Sequence, residues 1–149
     1  MSGDVTSMKA EDLVAYLHPR DQPDGDHTLA AAQQIRHLLR YLAATARPST
    51  AQRAYPEPDV TIAVATALRD GMRSAAELFD RLAKRHDRYA GNLRLHAVNG
   101  DDGHPGGGAY HVEQSALALA GVAVHCDELA ADLDAAVRAS GRFDIGVQQ

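Results

Sequence analysis

The stretch AYHVEQSALALAGVAVHCDELAADLDAAVRAS, residues 109–140, decides the fold. Val112, Ser115, Leu119, Val122, Cys126, Leu129, Leu133, Ala136 and Ser140 recur in it at alternating steps of three and four. That spacing draws a narrow stripe along one face of a helix, at the positions that form the seam of a helix pair. At 1.5 Å per residue the helix runs roughly 45 Å. A helix cannot bury such a stripe alone, so another segment must supply the partner.

The partner lies upstream. Thr61, Val64, Leu68, Gly71, Ala75, Leu78, Leu82, Arg85 and Tyr89 repeat the same alternation, and Met72 and Phe79 flank and widen it. The pattern predicts a helix from about Pro58 to Ala90. Pro58 suits a first helical turn. Glu57 and Asp59 complement the positive end of the helix dipole, and Arg81, Lys84, Arg85, His86 and Arg88 the negative end. Gly71 falls in the stripe, where it is expected to allow close approach of the facing backbone.

Two shorter helices come first. Ser7 is placed to cap one that runs through about His18, with Leu13, Val14 and Leu17 on its apolar side. Pro19 ends it by pushing the preceding residue out of helical geometry. The second runs from about Thr28 to Ala46, with Leu29, Ala32, Ile35, Leu38, Leu39 and Leu42 on one face and Arg36, Arg40 and Arg47 on the other side. Pro48 stops it, and RPSTAQRAYPEPD reads as a connector. Residues 91–108, GNLRLHAVNGDDGHPGGG, read as a long glycine-rich loop, and 1–6 and 141–149 as disordered tails. The sequence therefore predicts one all-α domain over residues 1–149. It is a four-helix bundle built on a long antiparallel hairpin (about 58–90 and 109–140), with two shorter N-terminal helices.

Composition agrees. The chain has 149 residues, enough for one core. Aromatic residues make up 5% and there is no tryptophan, which suits closely packed helices better than a β-sandwich. Cys126 is the one cysteine, so no intrachain disulfide can form, and its place on the stripe marks it as core. The first residues lack the basic and apolar regions of a signal peptide, and no apolar run is long enough to span a membrane. The expectation is a cytoplasmic protein with no membrane contact.

The formal net charge is −5, which argues against general nucleic-acid binding. The charges come in bands: residues 34–56 hold four arginines and no acid, and residues 97–149 hold eight acids against Arg138 and Arg142. Between them Arg81, Lys84, Arg88 and Arg94 offer a basic contact surface for an acidic partner or nucleic acid. The connection between the second and third predicted helices is too long and proline-rich for a helix-turn-helix.

Histidines are the other chemical candidates. In a hairpin the end of the third predicted helix meets the start of the fourth. His86 and His111 then approach each other, with His96 and His104 in the loop and Glu113 beside them. Three histidines and a carboxylate would suffice for zinc. No HExxH or other short ligand spacing supports the site, so surface histidines, with no metal and no cofactor, are the favoured reading. His125 lies 14 residues from His111, about 21 Å along the helix, and cannot share a metal with it. Asp21, Asp24 and Asp26 miss the register of a calcium loop and read as a turn that caps the next helix. GDDGHPGGG has the glycines of a phosphate loop but no GK[ST].

The segment LAATARPSTAQRAYPEP, the long helix after it, and the LRLHAVNGDDG turn into an Ala-rich helix resemble small uncharacterised Ala/Arg-rich helical proteins of actinobacteria. That resemblance implies a helical fold and brings no assigned activity. With no catalytic constellation in view, the sequence points to a non-enzymatic helical interaction or adaptor protein whose partner is another protein or a second copy. The alternatives are a metal-binding helical-bundle enzyme or sensor using the loop-proximal histidines, and a DNA-associated regulator using the Arg81–Arg94 cluster.

Overall fold

A computed structural model describes residues 9–17, 24–90 and 107–140. All five elements among them are helices: α1 (Ala10–Leu17), α2 (Gly25–Thr45), α3 (Pro48–Ala54), α4 (Pro58–Ala90) and α5 (Gly107–Ser140). No strand occurs among the described residues. The chain divides into two compact units, Met1–Pro56 and Glu57–Gln149. The predicted tails, 1–6 and 141–149, and residues 91–106 of the predicted loop lie outside the described residues.

In the first unit, α2 begins three residues before the expected start because Asp24, in extended geometry, is its N-cap. Its carboxylate accepts the backbone N–H of His27 at 2.7 Å, and His27 Nδ1 donates to the second carboxylate oxygen at 2.6 Å. These bonds satisfy a donor that the first helical turn would otherwise leave open, and they hold the Asp24 carboxyl below its ordinary value. Pro48 does end α2, but it also starts α3, a helix the sequence did not predict. A proline that cannot continue one helix is suited to the first position of the next. The Thr50 hydroxyl then reaches back to the Ala44 and Thr45 carbonyl oxygens at 2.9 and 3.1 Å, and Thr45 Oγ1 meets Tyr55 Oη at 3.2 Å. This polar corner ties α3 to the open end of α2. No residue of α2 is buried, and Leu29, Ile35, Leu38 and Leu39 all stand exposed.

The second unit is the hairpin of α4 and α5. The bounds of α4 are those predicted, and α5 starts two residues early. Arg69, early in α4, bonds Asp134, late in α5, at 3.0 Å, while Ala83 and Asp87 share a groove with Glu113 and Ala116. The two helices are therefore antiparallel.

Their seam differs from the predicted one. Among the described residues the buried side chains are all alanine: Ala76 and Ala83 on α4, and Ala116, Ala123 and Ala130 on α5. Each set repeats every seven residues. On α4 the inward positions are Ile62, Ala65, Arg69, Met72, Ala76, Phe79, Ala83, His86 and Ala90, each one residue beyond the predicted stripe. On α5 Val112, Leu119, Cys126 and Leu133 keep their expected places, but Ala116, Ala123, Ala130 and Val137 replace Ser115, Val122, Leu129 and Ala136. The cause is helix spacing. Interaxial distances run about 8–10 Å depending on the side chains at the contact, and alanine permits the short end. Close approach brings the two backbones and all their neighbours into contact, which outweighs burying a few larger side chains at wider spacing. The rotation also removes the expected role of Gly71: a Cβ built there meets nothing within 4 Å.

Candidate functional site

The rotated seam gives the hairpin two unlike flanks. The flank formed by residues that follow a seam position carries the charges. Asp80, Lys84 and Asp87 on α4 and Glu113, Leu117 and Ala120 on α5 each follow a seam residue, and together with Ala83 and Ala116 they line one open groove of about 420 Å³. Lys84 donates to Asp80 at 2.7 Å across its lip. Farther along, Asp134 receives both Arg69 and Arg138. Arg69 is itself a seam residue, 19% exposed, and it also bonds Asp70 at 2.9 Å, which holds the Asp70 carboxyl below its ordinary value. Among the described residues the Arg69–Asp134 ion pair links the two helices across the seam, and it fixes the register of one helix against the other.

The flank formed by residues that precede a seam position is apolar. It carries Leu68, Leu78 and Leu82 on α4 and Val122 and Leu129 on α5. Leu78 is 49% exposed, Leu129 48% and Val122 39%. In an antiparallel pair the two preceding flanks lie on the same side, as the two following flanks do in the groove. Of the larger apolar side chains that the sequence assigned to the seam, Leu78, Val122 and Leu129 thus stand exposed on this flank, and Leu68 and Leu82 are half-buried beside them. This exposed flank is the feature of the hairpin that sequence reasoning missed. The signal for it was present as the width of the apolar stripe on α4, which Met72 and Phe79 extend.

The predicted site residues are distributed as follows. Arg81 is bonded to Glu77, one turn back, and Lys84 to Asp80. Acid before base at a spacing of four is the favourable order on a helix, so both cations are already partly neutralised. Arg85 donates to the Tyr89 hydroxyl at 2.7 Å and packs over its ring. Arg88 is exposed near the end of α4, and Arg94 lies outside the described residues.

His86 is half-buried in the seam, where its Nδ1 donates to the Leu82 carbonyl oxygen at 3.0 Å and its ring meets Tyr89 edge-on. His111 and Glu113 are exposed at the start of α5, His111 edge-on to Tyr110. His96 and His104 lie outside the described residues. Among the described residues no three His, Cys, Asp or Glu side chains come together as a metal site. Asp24 and Asp26 stand at the start of α2, where Asp24 is the helix cap; Asp21 lies outside the described residues. Cys126 is half-buried in the seam as a free thiol. No described helix is long and apolar enough to cross a membrane.

No protein family, curated protein or solved structure matches the chain.

Proposed function

We propose that this chain is a non-enzymatic helical interaction protein whose docking surface is the apolar flank of the hairpin. The observation that supports this reading is the exposure of Leu78, Val122 and Leu129 on one side of a seam made of alanine. Contiguous apolar surface on a helix pair is what another helix buries. The surface is long and narrow, which fits an amphipathic helix and offers no enclosed, polar-lined cavity for a small substrate. The four-helix bundle expected from the sequence belongs to the same reading: the hairpin is one half of such a bundle, and further helices laid on its apolar flank complete it. A partner of this kind is met in the cytoplasm, where a lone thiol such as Cys126 stays reduced.

The test compares partner capture by the wild-type chain with capture by Leu78→Glu and Leu129→Glu, using Val124→Glu as an exposed control. The expected outcome is loss of association for the first two and retention for the third. If the chain is strictly monomeric and binds no protein, or if the apolar-flank variants bind as the wild type does, the reading is wrong.

A further inference from the structure

We infer that the hairpin has a second register, one heptad from the described one, in which α5 has slid along α4 and Arg69 bonds Asp127 in place of Asp134. The inference goes beyond the docking role and does not depend on what occupies the apolar flank.

It comes from the placement of the acids on α5. Arg69 is a seam residue, 19% exposed, and Asp134 bonds it from the row that follows the seam on α5. Asp127 stands in the same row, seven residues earlier, and its side chain has no ion pair or hydrogen bond among the described residues. Seven residues is the repeat of the seam itself. A slide of one repeat, about 10 Å, therefore carries Asp127 to the level that Asp134 now holds. The opposite slide offers Arg69 no carboxylate, because the residue seven beyond Asp134 is Gly141.

The seam accommodates the slide. Ala83 and Ala116 share the groove, so in the described register Ala76 is level with Ala123, Met72 with Cys126 and Phe79 with Leu119. After the slide Ala76 is level with Ala116, Arg69 with Ala123, Ile62 with Ala130, Met72 with Leu119 and Phe79 with Val112. Alanine still meets alanine, Arg69 still meets alanine, and Phe79 exchanges one aliphatic neighbour for another. The alanine layers set the helix spacing, so the spacing is retained. The joining residues, 91–106, have the length to follow, since each spans up to about 3.3–3.6 Å when extended.

The cost of the slide is overlap. His86, Leu133 and Val137 lose the layers that face them, so the described register is the more populated one. The slide also carries Val122 and Leu129 about 10 Å past Leu78. The apolar flank then has two layouts, and a partner that prefers one of them shifts the population toward it.

Disulfide trapping in the full chain tests the inference, with Cys126→Ala to remove the native thiol. Ala76→Cys and Ala116→Cys stand about 10 Å apart along the axis in the described register, beyond disulfide reach, and level in the slid one. Ala83→Cys with Ala123→Cys is the control, because only the opposite slide brings that pair level. The first pair is expected to oxidise faster than the control. Adding Asp134→Asn should speed it about tenfold, near the value of one charge-assisted hydrogen bond. Adding Asp127→Asn should slow it to the rate of the control. Far-UV circular dichroism checks that the helices persist. Should the seam cysteines unfold the hairpin, nitroxide labels at Thr61→Cys and Gln114→Cys, both exposed, replace them. The slid register is then read as a distance population about 10 Å shorter, enriched by Asp134→Asn and lost with Asp127→Asn. Equal oxidation of the two cysteine pairs overturns the inference, because simple opening of the hairpin treats them alike. So does a rate indifferent to Asp134→Asn or to Asp127→Asn, or a single label distance that neither substitution changes.

Discussion

Ala130→Leu should destabilise the hairpin, and it should do so at least as strongly as Leu129→Ala. The reasoning begins with burial. Ala130 is 3% exposed in a seam whose buried side chains, among the described residues, are all alanine. Leucine there adds three carbon atoms where the facing helix leaves no room, and the helices must part or the side chain must leave its preferred rotamer. Overpacking of this kind costs about 1–3 kcal/mol. At roughly 3 °C per kcal/mol for a chain of this size, the melting temperature falls by about 3–9 °C. Leu129 is 48% exposed. Truncating it forfeits about half of the roughly 1.5–3 kcal/mol that full burial of a leucine provides, near ~1 kcal/mol, and the better helix propensity of alanine offsets part of that. The seam expected from the sequence reverses both values. With Leu129 inside, its truncation would cost about 2–5 kcal/mol. With Ala130 outside, the leucine would change stability by no more than ~0.5 kcal/mol. Urea unfolding followed by circular dichroism, on protein dilute enough to be monomeric, measures both. A neutral Ala130→Leu beside a Leu129→Ala that costs more than about 2 kcal/mol would refute the alanine seam.

Other expectations follow from single features. Gly71→Ala meets open space and should stabilise dilute protein by about 0.4–1 kcal/mol, read as a rise in melting temperature; a loss would mean the backbone there is approached after all. Asp24 has its folded pKa lowered below the ordinary 3.8, so its contribution to α2 is present above that value and is lost as pH falls through the lowered one. An acid titration by circular dichroism should show loss of helix in that window, with the step missing in Asp24→Ala. Asp134 holds two arginines and Asp127 has no ion pair among the described residues, so Asp134→Asn should lower the melting temperature more than Asp127→Asn. Equal shifts would deny the cross-seam pair its role.

The elements themselves are legible in local chemistry. The bounds of α4 follow from Pro58 and the end of its apolar repeat, and those of α5 lie within two residues of the repeat that marks it. α3 escaped because a single residue, Pro48, ends one helix and begins the next, and a stop signal is easily taken for a connector. The start of α2 was displaced because the sequence left Asp24 in a capping turn and began the helix at Thr28, four residues on. Only the carboxylate's bond to the His27 N–H decides between them.

Which face each long helix turns inward was beyond the sequence. Two apolar stripes lie one residue apart on α4, and local periodicity favours the one with the larger side chains, Leu68, Leu78 and Leu82. Burial, however, belongs to the pair. Alanines recurring every seven residues on both helices set a spacing that neither helix specifies alone, and that spacing selects Ala76, Ala83, Ala116, Ala123 and Ala130 for the interior. The sequence by itself determined that there would be two long helices, where they begin and end, and that each would carry an apolar face. The tertiary structure decided that Ala76, Ala83, Ala116, Ala123 and Ala130 are the most deeply buried side chains and that Leu78, Val122 and Leu129 stay exposed, because close packing of two backbones is a property of their distance, and distance is written in neither helix separately.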